Sequence, residues 1–302
     1  MDKLTKLTTE MYNPKSSNLD QMPIRDILAL MNEEDFSIPK AIQQVLPQIE
    51  KTVEAVCESF QNGGRLFYVG AGTSGRIGLL DAAECPPTFS TPQHLVQAIL
   101  AGGENALMVA VEGAEDDQQL GENDLKEREL SANDIVIGIA ASGRTPYVKA
   151  ALRYTKSIGA TAVSLASNKD AEISEHADIA IEVVTGPEIL TGSTRLKAAT
   201  SHKMILNMIS TASMVKMGKV YQNLMVDMNA SNYKLRERSK KIVCEATGFD
   251  YEVATKVLEE TDYAVKPAIV MLLTDVSYQE ALSLLDNSNG FVRDAVKQKE
   301  RS

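Results

Sequence analysis

The sequence predicts an α/β protein: a doubly wound parallel sheet flanked by helices, followed by a small all-helical C-terminal module. Three observations predict it. From residue 65 onward, short β-branched runs of strand length alternate with amphipathic stretches, the pattern of a parallel sheet with crossover helices. Two loops rich in glycine and hydroxyls, Gly70-Ala71-Gly72-Thr73-Ser74-Gly75 and Ala141-Ser142-Gly143-Arg144-Thr145-Pro146, each stand between such a run and a helical stretch. Beyond Lys241 the strand-like runs give way to short helical patterns alone.

The elements follow in order. Residues 1–20 are polar, carry Asn13-Pro14 and Ser16-Ser17-Asn18, and read as an extended or partly ordered arm. Residues 24–31 and 38–60 repeat apolar side chains at helical spacing (Ile42, Val45, Ile49, Val53, Val56), and Asn62-Gly63-Gly64 is a helix stop. Strands are expected at 65–69, 96–100, 134–140, 161–166 and 178–183, because each is short, apolar and rich in branched residues. Helices are expected between them at 75–83, 105–111, 116–130, 146–158 and 171–176, with Pro86-Pro87 stopping the first at Glu84. Residues 196–228 read as one long apolar helix or a helix pair, whose methionines suit adaptable packing. Helical patterns at 241–246, 251–260, 266–275 and 277–285 precede a turn at Gly290-Phe291-Val292. The expected organisation is an arm with helices over 1–50, a sheet domain over 51–228 and the helical module over 229–302.

Composition excludes several classes of function. The 302 residues are 44% hydrophobic and 24% charged, an ordinary globular balance, and the net charge of −10 disfavours nucleic acid and anionic membrane surfaces. No apolar run approaches the ~18 residues of a membrane-spanning helix, and no apolar segment follows a basic start. A cytoplasmic location is expected, with no membrane partner. Cys57, Cys85 and Cys244, like His94, His176 and His202, are scattered without ligand spacing, so neither a metal nor a disulfide is expected.

The first loop fits G-x-G-x-x-G, yet a dinucleotide site also needs an acidic residue at the end of the second strand to hold the ribose. That strand ends Leu100-Ala101-Gly102-Gly103. Thr73 and Ser74 instead place two hydroxyls at a helix start, where free N–H groups and the dipole favour an anion. It is not a P-loop, since the G-K-[ST] lysine is absent. With Ser142, Gly143 and Thr145 of the second loop, it suits one phosphate on a small molecule. Glu84, after the first loop, and Glu115, in Glu112-Gly-Ala-Glu115-Asp-Asp117, are candidates for paired acid and base work. The acidic run at 112–117 equally suits a plain helix N-terminus, and Glu84 a solvated loop acid. A third cluster holds Glu188, Thr191, Thr194 and Lys197, which suits sugar hydroxyls and a phosphate, or a capping loop.

Taken together, "GAGTSGRIGLLDAAECPPTF", "AGGENALMVAVEGAEDD", "ASGRTPYV" and "TGPEILTGSTRLKAATSHKMILN" closely resemble the N-acetylmuramic acid 6-phosphate etherase family, of the sugar isomerase (SIS) fold. The resemblance runs from about residue 5 to 295. It implies a SIS-type sheet, cleavage of the lactyl ether of N-acetylmuramate 6-phosphate, no cofactor, and a homodimer with active sites near the subunit interface. It also places the family's catalytic carboxylates on Glu84 and Glu115, beside the sugar-phosphate cradle that the two loops offer at Gly72, Thr73, Ser74, Gly75, Ser142, Gly143 and Thr145. A regulatory protein that senses sugar phosphates and an aldose-ketose isomerase are the alternatives, because both use the same fold.

Overall fold

The computed structural model describes residues 7–109, 111–228, 230 and 232–301, so residues 1–6 of the arm and Ala110 lie outside it. Three α-helices open the described chain: α1 (Ile24–Asp35), α2 (Ser37–Gln43) and α3 (Leu46–Gln61). There follow β1 (Leu66–Gly70), α4 (Gly72–Phe89), β2 (Val96–Leu100), α5 (Gln118–Glu127), β3 (Ile135–Ile139), α6 (Pro146–Ser157), β4 (Thr161–Ala166), β5 (Ile179–Glu182) and α7 (Lys197–Lys216). The rest is a short hairpin, β6 (Val220–Tyr221) with β7 (Leu224–Met225), and five helices: α8 (Tyr233–Thr247), α9 (Tyr251–Glu260), α10 (Val265–Thr274), α11 (Tyr278–Asn287) and α12 (Val292–Glu300).

Strands β1 to β5 form one parallel sheet in the order β2-β1-β3-β4-β5. Every residue of β1 and β3 is buried, as central strands covered on both faces require. Phe67, Val136, Tyr147, Val148, Leu152 and Ile173 sit in the core on one side of this sheet. The chain packs as two compact units, one of residues up to Ala83 with His94–Ser210, the other of Glu84–Gln93 with Thr211 onward. In the second, Ile242, Leu258, Ile269, Val270 and Leu285 centre a helical core of their own. No single helix among the described residues is long and apolar enough to cross a membrane.

Four departures from the expected elements have physical causes. From residue 7 on, the arm is not extended: it forms 3-10 turns at Thr8–Glu10, Pro14–Ser16 and Leu19–Gln21, and Thr9 and Asn13 are buried by partners far along the chain. Helix α4 runs past Pro86 and Pro87 to Phe89: their fixed φ is helical, and the last turn continues without the two N–H donors they lack. The segments expected to be helical at 105–111 and 171–176 are single 3-10 turns, Glu104–Leu107 and Glu172–His176, too short to sustain α-helix. The long helix stops at Lys216, since Gly218 takes a left-handed φ of 73° and Gln222 one of 57°, which turns the chain into the hairpin.

Candidate functional site

In this strand order the chain leaves β1 toward β2 on one side and reaches β3 on the other, so the crevice of the sheet opens between β1 and β3. Gly70 pairs with Ile139 at the last register position of the two strands. The two hydroxyl loops therefore emerge side by side, both at strand carboxyl ends.

The first loop is shaped by contact. A Cβ on Gly75 would lie 2.6 Å from the Gly70 carbonyl oxygen and 2.2 Å from Leu100 Cδ1, so only glycine lets α4 start this close to β1. Thr73 is exposed and Ser74 half-buried, and neither hydroxyl is hydrogen-bonded among the described residues. Arg76 is turned away: its guanidinium donates to the carbonyls of Ala106 (2.7 Å) and Leu107 (2.9 Å), fastening the turn that follows β2.

The second loop holds its carbonyls away from the crevice. Ala141 accepts from the Ser167 N–H (3.0 Å) and Asn168 Nδ2 (3.2 Å), Ser142 from Asn168 Nδ2 (3.2 Å), and Gly143 from the Ile173 N–H (2.9 Å). Gly143 has φ 74°, and a Cβ there would sit 2.5 Å from Ala171 Cβ. Thr145 occupies the N-cap of α6 without a side-chain cap bond, with Pro146 in its first turn. A cavity of about 500 Å³ opens beside Ser142, lined also by Thr8, Arg144, Asn168 and Lys169. Arg144 is engaged by Glu172 at 2.9 Å, which partly neutralises the loop's own cation. An anion held here would be met mainly by hydroxyls, by the N–H groups at the start of α4 and by the α4 and α6 dipoles.

The third cluster divides. Glu188 is 1% exposed, and its carboxylate accepts from the N–H groups of Lys197 (3.0 Å) and Ala198 (2.9 Å), capping α7. Burial raises its pKa, while the two N–H groups pull the other way. Lys197, 3% exposed, donates to Glu34 of α1 at 2.7 Å. Both residues are thus engaged within the chain, whereas Thr191 is exposed and Thr194 half-buried.

Glu115 and Glu84 are both exposed, and neither is hydrogen-bonded or ion-paired among the described residues. Glu115 lies in a 3-10 turn launched by Gly113 at φ 77°. The capping duty of its acidic run belongs to Asp117, which accepts from the Leu120 N–H at 3.0 Å and leaves Glu115 unused. Glu84 stands on α4, ten residues after Ser74. Three residues before it, buried Asp81 accepts from Tyr68 Oη (2.7 Å), Asn207 Nδ2 (2.6 Å) and Ser210 Oγ (3.0 Å). That lock fixes the rotation of α4 at Asp81. Asp81 lies within the first quoted stretch and Asn168 in none of them, but their partners lie up to 160 residues away, so spacing carries no signal of their roles.

His202 does not reach the crevice. It is 1% exposed on α7, with Nε2 3.0 Å from Ser167 Oγ, and burial lowers its pKa from 6.5 to about 4. Between those values the unfolded chain binds a proton that the folded chain refuses, so this contribution to stability is full above about pH 6.5 and is lost as pH falls toward 4. Acidification across that window is expected to cost on the order of 3 kcal/mol in urea titrations, and His202→Gln should flatten that slope.

Comparison with known proteins adds to this geometry. The family described as glucokinase regulatory protein N-terminal SIS domain matches residues 48–156, and the SIS domain family matches residues 121–212. Curated relatives named N-acetylmuramic acid 6-phosphate etherase are 57% identical in Geobacillus sp. (strain WCH70) and 56% in Exiguobacterium sp. (strain ATCC BAA-1283 / AT1b), each over 97% of this chain and 100% of theirs. Phosphoheptose isomerase structures from Neisseria gonorrhoeae and Francisella tularensis superpose with TM-scores of 0.50 at 15% and 16% identity. They cover 63% and 64% of this chain and 97% and 100% of their own, a likeness of fold.

Proposed function

The chain belongs to the N-acetylmuramic acid 6-phosphate etherase family, and from that membership we propose how its residues divide the work of cleaving the lactyl ether. The enzyme converts N-acetylmuramate 6-phosphate to N-acetylglucosamine 6-phosphate and D-lactate, a step in the recovery of cell-wall sugar. The observation that supports the site assignment is the pair of hydroxyl-bearing loops at the β1/β3 crevice, together with two carboxylates that the fold leaves unused.

An alkyl ether has a poor leaving group, but the open-chain sugar has a C1 aldehyde that acidifies the C2 hydrogen. Glu115 removes that proton, the C3–O bond breaks, and Glu84 protonates the departing lactyl oxygen. D-Lactate leaves an unsaturated sugar aldehyde. Water then adds at C3, with Glu84 taking its proton and Glu115 returning one to C2. Thr73, Ser74, Ser142 and Thr145, with the N–H groups at the start of α4 around Gly72, hold the 6-phosphate, whose binding energy orients the sugar, while Gly75 and Gly143 shape the two loops. Thr191 and Thr194 meet sugar hydroxyls, while Glu188 and Lys197 act through the loop they anchor.

We assign the protein to the cytoplasm, because a dianionic sugar phosphate does not cross a bilayer unaided. A homodimer is the proposed assembly, supported by the exposed apolar side chains of Leu80 on α4 and Met208 on α7. A sensing role is the second reading, favoured by the match to the regulatory-protein domain over residues 48–156. Incubation of purified protein with N-acetylmuramate 6-phosphate, with and without a chelator, decides between them. Stoichiometric D-lactate is expected in both arms; a sensor or an aldose-ketose isomerase would release none.

A further inference from the structure

We infer that Asn168 is a positioning residue for the phosphate loop, and that through it the N-terminal arm sets the affinity for the sugar phosphate. The inference rests on the proposed reading of residues 141–145 as part of that cradle. Asn168 follows β4 by two residues and is 2% exposed. The two hydrogens of its Nδ2 are shared among the carbonyls of Ala141 and Ser142, both at 3.2 Å, and Thr9 Oγ1 at 3.1 Å. Its Oδ1 accepts from Thr8 Oγ1 at 2.7 Å and from the Thr9 N–H at 3.4 Å. The amide orientation is fixed by chemistry: two carbonyls demand donors on one side, and a backbone N–H demands an acceptor on the other.

Both polar atoms of the Asn168 side chain are therefore used inside the chain, and neither is left for substrate. Its effect lies in what it holds. A loop that binds an anion through N–H groups must keep its carbonyl oxygens turned away, since one rotated peptide would present a partial negative charge to the phosphate. Asn168 grips two consecutive carbonyls of the loop, 26 and 27 residues back in sequence. Thr8 and Thr9, 159 to 160 residues away, lock Asn168 from its other side, and Thr8 adds a bond to the Ser167 carbonyl at 3.2 Å. The arm is thus part of the wall behind the phosphate loop, although it reaches no substrate atom through these bonds.

The test uses full-length Ser142→Ala, Asn168→Ala, Thr8→Val and the Thr8→Val/Asn168→Ala double variant. For each, KM and kcat are measured by lactate release, inhibition by inorganic phosphate is titrated, and thermal melting is followed by circular dichroism. Asn168→Ala is expected to raise KM and the phosphate inhibition constant together by about 5- to 50-fold, with kcat changed less than about twofold, the signature of lost uniform binding. Thr8→Val should shift both constants the same way by about 2- to 5-fold, and the double variant should be no worse than Asn168→Ala, because the hydroxyl acts through the amide. The inference is overturned if Thr8→Val and Asn168→Ala lower the melting temperature but leave both constants unchanged while Ser142→Ala raises them. It is equally overturned if the two single effects multiply in the double variant. If Ser142→Ala also leaves both constants unchanged, the phosphate-loop reading itself fails. Should Asn168→Ala not fold, Thr8→Val alone decides, because its side chain lies at the rim of the cavity.

Discussion

Glu115→Gln is expected to abolish exchange of the C2 hydrogen of N-acetylmuramate 6-phosphate with deuterated buffer, and to lower lactate release by about 10²–10⁴-fold. Exchange is the sharper measurement, because it isolates proton removal from every later step. Glutamine keeps the size of the side chain and removes its basicity. The fold should not notice: Glu115 is exposed, and the acidic partner that α5 needs at its start is Asp117. Unchanged melting with lost exchange would identify the base. Retained exchange together with normal lactate release would remove Glu115 from the mechanism.

Glu84→Gln should fall by a similar ~10²–10⁴-fold in lactate release while still exchanging the C2 hydrogen, since a glutamine cannot protonate the leaving oxygen but leaves the base in place. Buried Asp81, with its three donors, continues to hold α4 in the same rotation, so the loss is chemical rather than conformational. A substrate analogue with a better leaving group at C3 should recover much of the rate in Glu84→Gln and little in Glu115→Gln. Loss of exchange in both variants would instead mean that the two carboxylates act in one concerted step, and the proposed division between them would have to be abandoned.

The strands and both hydroxyl loops were legible in the sequence because their causes are local. Five β-branched runs at strand length matched the observed strands to within a residue at each end, and glycines at 72, 75 and 143 marked places where a Cβ is strained or has no room. The third cluster shows where local reading ends. Glu188 and Lys197 are the residue types that would greet a sugar phosphate, but their charges are used by the α7 N-terminus and by Glu34, 163 residues from Lys197. The arm's contacts were illegible for the same reason: it reads as extended or partly ordered, and Thr8 and Thr9 find their partners on Asn168. Helix α12 was hidden by a different cause, since only Val292 and Ala295 of its nine residues are buried and its apolar stripe is too thin to read.

Helix α4 bears on which changes of length the chain could tolerate. It runs unbroken from the crevice loop at Gly72 to Glu84 and beyond, clamped at its start by the glycine contact with β1 and in its middle by Asp81. Within such a helix each residue advances about 1.5 Å and turns about 100°. Adding or deleting one residue between Ser74 and Asp81 would swing Asp81 out of its buried socket, and one between Asp81 and Glu84 would re-aim Glu84 by about a quarter turn. The number of residues between Ser74 and Glu84 is therefore not free to drift.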